Sequence, residues 1–147
     1  MNILVTGAAG FIGSSLCEHL LKNKATNVIG IDAFVGPTPE KFTKANLDHI
    51  IKNKQFTFIR EDLLTINWEK YLHNIDYVYH LAGMPGVRSS WGQNFIQYNT
   101  CNILATQRLL EACIDKPIKK FIISSTSSIY GSKEGVMKET DLPAPLS

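Results

Sequence analysis

The stretch Val5–Gly13, Val-Thr-Gly-Ala-Ala-Gly-Phe-Ile-Gly, constrains the fold more than any other part of the chain. An apolar run, Ile3–Val5, precedes the glycines and predicts a buried strand, and apolar residues at helical spacing follow them. Glycines at a strand-to-helix turn are typical of a dinucleotide-binding loop. Gly7 allows the turn, Gly10 leaves room for a pyrophosphate, and Gly13 lets the helix pack closely. Because the spacing is not the usual Gly-x-Gly-x-x-Gly, an ordinary glycine-rich turn is the alternative.

A carboxylate at the end of the next apolar run favours the first interpretation. Val28–Ile31 ends in Asp32, roughly 20 residues after Gly13, as a dinucleotide fingerprint requires. A carboxylate there can accept hydrogen bonds from both hydroxyls of an adenosine ribose, and it repels a 2′-phosphate. The sequence therefore predicts NAD rather than NADP as the cofactor. The alternative role for Asp32 is a helix cap or a turn residue.

Length and composition exclude several classes of protein. The 147 residues predict one domain, residues 1–147, and the net charge of +2 comes from scattered side chains, so no nucleic-acid partner is predicted. The four histidines are isolated, which predicts no metal site, and no apolar run could span a membrane. The three cysteines, Cys17, Cys101 and Cys113, form no Cys-x-x-Cys and predict reduced thiols in a cytoplasmic protein.

Strands and helices are predicted to alternate along the chain. The predicted strands are Ile3–Val5, Val28–Ile31, Phe56–Ile59, Tyr77–Ala82 and Phe121–Ile123. The predicted helices after the glycine loop cover Phe11–Leu21, about Glu40–Asn53, Trp68–His73 and about Trp91–Asp115. This alternation predicts an α/β fold with a doubly wound parallel sheet, a Rossmann-like domain.

Several short motifs, most of them at strand ends, resemble a known family. The chain is similar to the N-terminal part of the extended short-chain dehydrogenases/reductases, the NAD-dependent sugar-nucleotide epimerases and dehydratases. The markers are Thr6–Gly13, Asp32, Asp62-Leu63, His80-Leu81-Ala82-Gly83, Asn102, and Ser124-Ser125-Thr126 ahead of Tyr130-Gly131. The resemblance covers essentially the whole chain.

The resemblance implies a set of cofactor-binding residues. They are Gly7, Gly10, Phe11, Ile12, Gly13, Asp32, Phe34, Asp62, Leu63, Leu81, Ala82, Gly83, Asn102, Ser124 and Ser125. Asp62 and Leu63 are expected to contact the adenine, and Asn102 to support the cofactor site. The alternatives are a turn residue for Asp62, a packed strand end for Leu81–Gly83 and a surface helix residue for Asn102.

The resemblance also implies a catalytic residue and a substrate side. Thr126 matches the catalytic Ser/Thr, whose hydroxyl would bond the substrate oxygen that gains or loses a proton. Pro85, Arg88, Ser127 and Ser128 are expected on the substrate side. The Gly-Val-Arg run ending at Arg88 resembles UDP-glucuronate 4-epimerases, and its guanidinium could grip a phosphate or carboxylate. The alternative for Arg88 is an ordinary surface arginine, and the alternative for Thr126 and its neighbouring serines is a polar loop.

The family's catalytic Tyr-x-x-x-Lys is absent from the sequence. None of the five tyrosines has a lysine four residues later, and Tyr130 is followed there by Glu134. We therefore expect the NAD-binding portion of a longer enzyme, inactive alone and a homodimer at full length. The expected parent activity is 4-epimerisation of a UDP-sugar, UDP-glucuronate or UDP-glucose, by transient oxidation at C4. There are two alternatives, a 4,6-dehydratase and a non-catalytic NAD-binding module. The dehydratase is disfavoured because Ser127 and Ser128 occupy the positions where that branch usually has acidic residues.

Overall fold

The structure is a computed structural model that describes residues 1–146, so Ser147, the last residue of the predicted domain, lies outside the described residues. The strands are β1 (Asn2–Thr6), β2 (Asn27–Ile31), β3 (Phe56–Ile59), β4 (Tyr77–His80) and β5 (Lys120–Ile123). They form one sheet in the order β3-β2-β1-β4-β5, and neighbouring strands are parallel. The predicted α/β class and doubly wound parallel sheet are confirmed.

Helical segments connect the strands. The α-helices are α1 (Phe11–Leu21), α2 (Glu40–Ala45), α3 (Glu69–Leu72), α4 (Phe95–Tyr98) and α5 (Ala105–Ala112). A π-helical segment, Asn99–Leu104, joins α4 to α5 without a break, and 3₁₀ turns cover Arg88–Ser90, Gly92–Asn94 and Ser127–Tyr130.

Two predicted helices have wrong bounds. The helix predicted over Glu40–Asn53 ends at Ala45 and continues as i→i+3 turns, which bury Leu47 and Ile50, three residues apart. The long helix predicted from Trp91 begins at Phe95 instead. Gly92 has a φ of +66°, a left-handed conformation that interrupts a right-handed helix at this point.

The predicted fourth strand, Tyr77–Ala82, is two residues too long. β4 ends at His80, because the Ala82 N–H donates to the hydroxyl of Thr6 (3.2 Å) and not to a strand carbonyl. The Leu81 N–H still donates to the Thr6 carbonyl of β1 (3.2 Å), so the chain turns away from the sheet at Ala82.

The sheet is buried on both faces. Along β1 the side chains alternate, with Ile3 and Val5 on one face and Leu4 on the other, each at most 2% exposed. The first face packs on α1 and the turns after α2, through residues that include Cys17, Leu21, Leu47 and Ile50. The second packs on α3 and α5, through residues that include Tyr71, Leu72, Ala105 and Leu109. With both faces covered, the carboxyl ends of the strands are the edge where a ligand can enter.

The strand order places a topological switch at β1. The connection after β1 runs to β2 on one side, whereas β4 and β5 lie on the other. In open α/β sheets ligands bind in the crevice outside the strand ends at such a switch. The fold therefore marks the space above the end of β1 as the candidate site.

Other classes of site are not found within residues 1–146. No cluster of three His, Cys, Asp or Glu suited to a metal ion occurs there, and no helix among them is long and apolar enough to cross a bilayer. Cys17, Cys101 and Cys113 are unpaired thiols. Burial raises the pKa of Cys17 to about 12 and that of Cys113 to about 11.

Candidate functional site

A cleft of about 460 Å³ opens at the switch point. The glycine loop forms one wall, and the segments that follow β2, β3, β4 and β5 form the rest. Predicted site residues that line it are Gly7, Gly10, Phe11, Ile12, Gly13, Asp32, Phe34, Asp62, Leu63, Leu81, Ala82, Gly83, Pro85 and Ser124. The structure thus brings together motifs that are far apart in sequence, from the loop after β1 to the segment after β5.

The three glycines of the loop are required for different reasons. Gly7 has a φ of +69°, and a Cβ there would lie 2.7 Å from the amide nitrogen of Ala82. A Cβ at Gly13 would collide with the carbonyl oxygen of Gly7 and lie 2.8 Å from its carbon. A Cβ at Gly10 would meet only the Gly7 oxygen, at 3.2 Å. The fold itself therefore needs glycine at positions 7 and 13, whereas at position 10 a side chain would mainly fill the cleft.

The N-terminus of α1 is suited to an anion. Its N-cap, Gly10, supplies no side-chain cap, and the first turn carries no acidic residue. The first amide hydrogens of a helix lack intrahelical partners and carry partial positive charge. Phe11 and Ile12 are 83% and 64% exposed beside these amides, so their apolar side chains border the cleft instead of packing in the core. This arrangement can bind a phosphate group.

Asp32 connects the glycine loop to the turn after β2. Its Oδ2 accepts the Ala9 N–H (3.0 Å) and its Oδ1 accepts the Phe34 N–H (2.8 Å). Phe34, with a φ of +57°, is held by this bond in a left-handed conformation that L-residues rarely adopt. The turn-forming role considered for Asp32 is therefore real. An ionised carboxylate has about four acceptor positions, so lone pairs remain for a ligand's hydroxyls.

Asp62 organises the segment that leaves β3. Its Oδ1 accepts the Leu64 N–H (2.9 Å), and the Arg108 guanidinium donates to the Leu64 carbonyl. Leu63 is 8% exposed at the cleft wall. Cys101, also in the wall, has its pKa raised by burial and by the charge of Asp62.

Asn102 lies outside the cleft lining, behind the segment that follows β4. Its Oδ1 accepts the Met84 N–H (2.7 Å) and its Nδ2 donates to the Met84 carbonyl (3.1 Å). One turn earlier, the Tyr98 hydroxyl donates to the Pro85 carbonyl (2.7 Å). These two side chains, four residues apart, tie the segment 84–85 to the helical segment.

Pro85 lines the cleft, but the predicted catalytic residue Thr126 and the other predicted substrate residues, Arg88, Ser127 and Ser128, lie beyond its lining. Thr126 is exposed, and its Oγ1 accepts the Ser128 N–H (3.2 Å), which starts the 3₁₀ turn that follows. Arg88 is exposed in the turn Arg88–Ser90. Neither these residues nor Ser125 and Ser127 line the cleft, so their roles stay predictions.

Sequence reasoning missed residues that support the site from behind. The Asn46 Nδ2 donates to the Ala9 carbonyl (2.9 Å) of the glycine loop, from a segment predicted as plain helix. Nothing in the local sequence marks Asn46. Tyr98 did carry a signal, because a residue four before Asn102 shares its side of a helix.

His80 should make stability depend on pH. It is 2% exposed, and burial lowers its pKa below the ordinary value of 6.5. The unfolded chain then takes up a proton that the native state does not, so the free energy of unfolding should fall as pH drops below 6.5. The slope should be at most about 1.4 kcal/mol per pH unit. Denaturant unfolding at about pH 7.5 and about pH 5.5 would measure it.

The matched control is His80→Gln, which should lack this dependence between the two pH values. Asp76 and Asp141 have lowered pKa values through Lys119 and Lys133, but they act below about pH 4 and leave the comparison unaffected. An equal slope in both proteins would show that His80 is not the group that titrates.

Comparisons with known proteins agree with this geometry. The profile of the NAD dependent epimerase/dehydratase family matches residues 3–147. A Bacillus subtilis (strain 168) protein, "Uncharacterized UDP-glucose epimerase YtcB", is 55% identical over 147 residues, which are 100% of this chain and 46% of that protein. The UDP-glucuronate 4-epimerase of Thermodesulfobacterium geofontis (strain OPF15) is 34% identical over 148 residues, covering 98% of this chain and 45% of that enzyme.

A solved structure is similar over the whole chain. It is the UDP-glucuronic acid 4-epimerase from Bacillus cereus in complex with UDP-glucuronic acid and NAD, with 56% identity and a TM-score of 0.94. The match covers 100% of this chain and 47% of that one. The chain therefore spans slightly less than half the length of each of these three relatives.

Proposed function

The chain belongs to the NAD dependent epimerase/dehydratase family, and from this premise we propose that it is the NAD-binding part of a UDP-sugar 4-epimerase. The observation that carries the proposal is the cleft at the switch point, with the bare Gly10 backbone on one side and the Asp32 carboxylate on another. These are the groups that a dinucleotide's pyrophosphate and ribose require.

Each part of the cleft suits one part of NAD. The amides at the start of α1 and the space above Gly10 suit the pyrophosphate, and Asp32 suits the adenosine ribose. We assign the adenine to the wall formed by Asp62 and Leu63, and the nicotinamide end to the wall formed by Leu81–Gly83 and Ser124. When bound, NAD would supply reversible hydride acceptance at C4 of the sugar. The residues of this chain bind and orient the reactants.

The proposed substrate is a UDP-sugar, with UDP-glucuronate favoured over UDP-glucose. Arg88 lies exposed in the 3₁₀ turn Arg88–Ser90, and none of the ion pairs among residues 1–146 uses its guanidinium, so it can pair with a carboxylate or a phosphate. Pro85, Ser127 and Ser128 complete the proposed substrate side, and Thr126 is proposed as the hydroxyl that bonds the reacting oxygen. The B. cereus relative, which carries UDP-glucuronic acid and NAD in its crystal structure, supports this choice.

Two further features of the full-length protein are proposed. A homodimer is supported by exposed apolar side chains on α4, on the π-helical segment and in the turn after α5, with Ile96 75%, Ile103 64% and Ile114 64% exposed. A cytoplasmic location is supported by the unpaired thiols among the described residues.

The function is tested by cofactor preference. Titration should show that the protein binds NAD more tightly than NADP, because the Asp32 charge lies where a 2′-phosphate would go. Asp32→Asn keeps one acceptor oxygen and removes the charge. It should therefore weaken NAD binding and lower the ratio of NAD affinity to NADP affinity about tenfold or more. Isothermal titration with both cofactors would measure the change.

Asp115→Asn is the matched control. Asp115 lies between α5 and β5, at the opposite edge of the sheet, and asparagine tolerates its φ of +60°. This variant should bind NAD and NADP like the unmodified protein. Equal or tighter binding of NADP by the unmodified protein would contradict the assignment of Asp32.

A further inference from the structure

His80 joins the end of β1 to the helical segment on the other side of β4. Its Nδ1 lies 2.7 Å from the Thr6 Oγ1, and its Nε2 lies 2.8 Å from the Thr106 Oγ1. Both ring nitrogens of a 2%-exposed side chain therefore have partners. The two partners are 100 residues apart in sequence and lie on different elements.

The neighbouring bonds fix the direction of each hydrogen bond. The Thr6 Oγ1 accepts the Ala82 N–H (3.2 Å), so its own proton is left for the His80 Nδ1. The Thr106 hydroxyl donates to the Asn102 carbonyl (2.7 Å), so its lone pair is left for a proton on the His80 Nε2. A neutral imidazole has one donor and one acceptor, and here only the tautomer protonated at Nε2 satisfies both hydroxyls.

Protonation of both ring nitrogens of His80 would disrupt these connected hydrogen bonds. The Thr6 Oγ1 would then have to accept from both Ala82 and His80, and its own proton would have no acceptor among the described hydrogen bonds. A buried donor without a partner is costly, so the arrangement selects one protonation state and one tautomer.

The connected bonds end at the segment that borders the nicotinamide side of the cleft. Asn102, whose carbonyl accepts from Thr106, holds the Met84 backbone by both its N–H and its carbonyl. At the other end Thr6 holds the Ala82 N–H. The backbone from Ala82 to Met84 is thus held by Thr6 and Asn102. Within residues 1–146, His80 is the side chain that hydrogen-bonds both Thr6 and Thr106, the residue whose hydroxyl donates to the Asn102 carbonyl.

We propose that His80, as the neutral tautomer protonated at Nε2, is the positioning residue that holds the segment Ala82–Met84 against the nicotinamide half of the cofactor. This inference rests on the proposed function for the identity of the ligand. Adenosine binding should not depend on His80, because Asp32, Phe34 and Asp62 are supported by contacts of their own.

The first test uses the unmodified protein. Long-range ¹H–¹⁵N correlation spectra of the imidazole at neutral pH should show a single tautomer with the proton on Nε2. A proton on Nδ1, or exchange between the two tautomers, would overturn the proposal. Because this measurement needs neither a ligand nor a variant, it tests the proposed tautomer of His80 even if NAD does not bind or a variant does not fold.

The second test uses two variants. The amide of His80→Gln can place an N–H near the former Nε2 and keep the bond to Thr106, whereas His80→Asn is too short to do so. His80→Asn should lower NAD affinity about tenfold with ADP affinity changed less than about twofold, and His80→Gln should restore most of the loss. His73→Asn, at an exposed histidine before β4, is the control and should leave both affinities unchanged.

The ratio of NAD to ADP affinity separates positioning from general destabilisation. Equal losses of NAD and ADP affinity in His80→Asn, or no rescue by His80→Gln, would overturn the proposal. Failure of the unmodified protein to bind NAD or ADP would instead contradict the proposed function. In that case the proposal is tested by hydrogen exchange of backbone amides. His80→Asn should accelerate exchange at Met84 and leave exchange at Leu4 unchanged, and equal effects at both amides would overturn the proposal.

Discussion

Gly10→Val is expected to abolish NAD binding by a protein that still folds. The Gly10 backbone has a φ of −68° and a ψ of 167°, a conformation that valine adopts without strain. A Cβ there meets only one backbone oxygen, at 3.2 Å, so the branched side chain would stand in the cleft where the pyrophosphate approaches. Affinity should fall by about a hundredfold or more, equivalent to the loss of at least about 3 kcal/mol. A binding isotherm beside circular dichroism would show both results.

Gly13→Val is the contrasting variant in the same loop. Its Cβ would collide with the Gly7 carbonyl, so this change should destabilise the fold by several kcal/mol and prevent α1 from packing. A folded Gly10→Val variant with near-normal NAD affinity would show that the phosphates bind elsewhere.

The 147-residue chain is expected not to epimerise a UDP-sugar by itself. It contains no tyrosine with a lysine four residues later, the motif whose tyrosine is expected, from the family resemblance, to take the 4-hydroxyl proton. An ordinary phenol has a pKa of about 10, and the aliphatic hydroxyl of Thr126 is a far weaker acid. Loss of a general base alone typically costs a factor of about 10² to 10⁴, and loss of substrate positioning adds to it.

The measurement is incubation with NAD and UDP-glucuronate, then UDP-glucose, followed by analysis for the 4-epimer. The B. cereus UDP-glucuronic acid 4-epimerase is the positive control. Turnover by the 147-residue chain at a rate typical of enzymes would contradict the assignment of the catalytic residues.

The sheet and much of the cleft lining could be predicted because both depend on local patterns. The apolar run before Gly7 and the glycine spacing identify a strand, a turn and a helix within a dozen residues. The strand-end position of Asp32 follows from the next apolar run. Each of these features requires only residues that are close in sequence, and the parallel topology then brings them to one edge.

The supporting half of the site could not be predicted in the same way. Asn46 bonds a carbonyl in the glycine loop, and His80 bonds hydroxyls on two other elements. Such contacts depend on where the chain returns after long connections, and no spacing in the sequence encodes them. The helix bounds failed for a related reason, because apolar periodicity continues through Gly92 and does not report its left-handed backbone.

The π-helical segment changes which side chains of α4 and α5 face the same direction along one continuous helix. In an uninterrupted α-helix, Tyr98, Asn102, Ala105 and Leu109 would share a side, because they are separated by four, three and four residues. The Ala105 N–H instead bonds the Thr100 carbonyl, five residues back, and one extra residue turns the preceding part by about 100°. Ala105 and Leu109 can therefore stay in the core while Tyr98 reaches the Pro85 carbonyl above the cleft. One added residue lets a single helix pack in the core and hold the loop that borders the cleft at the same time.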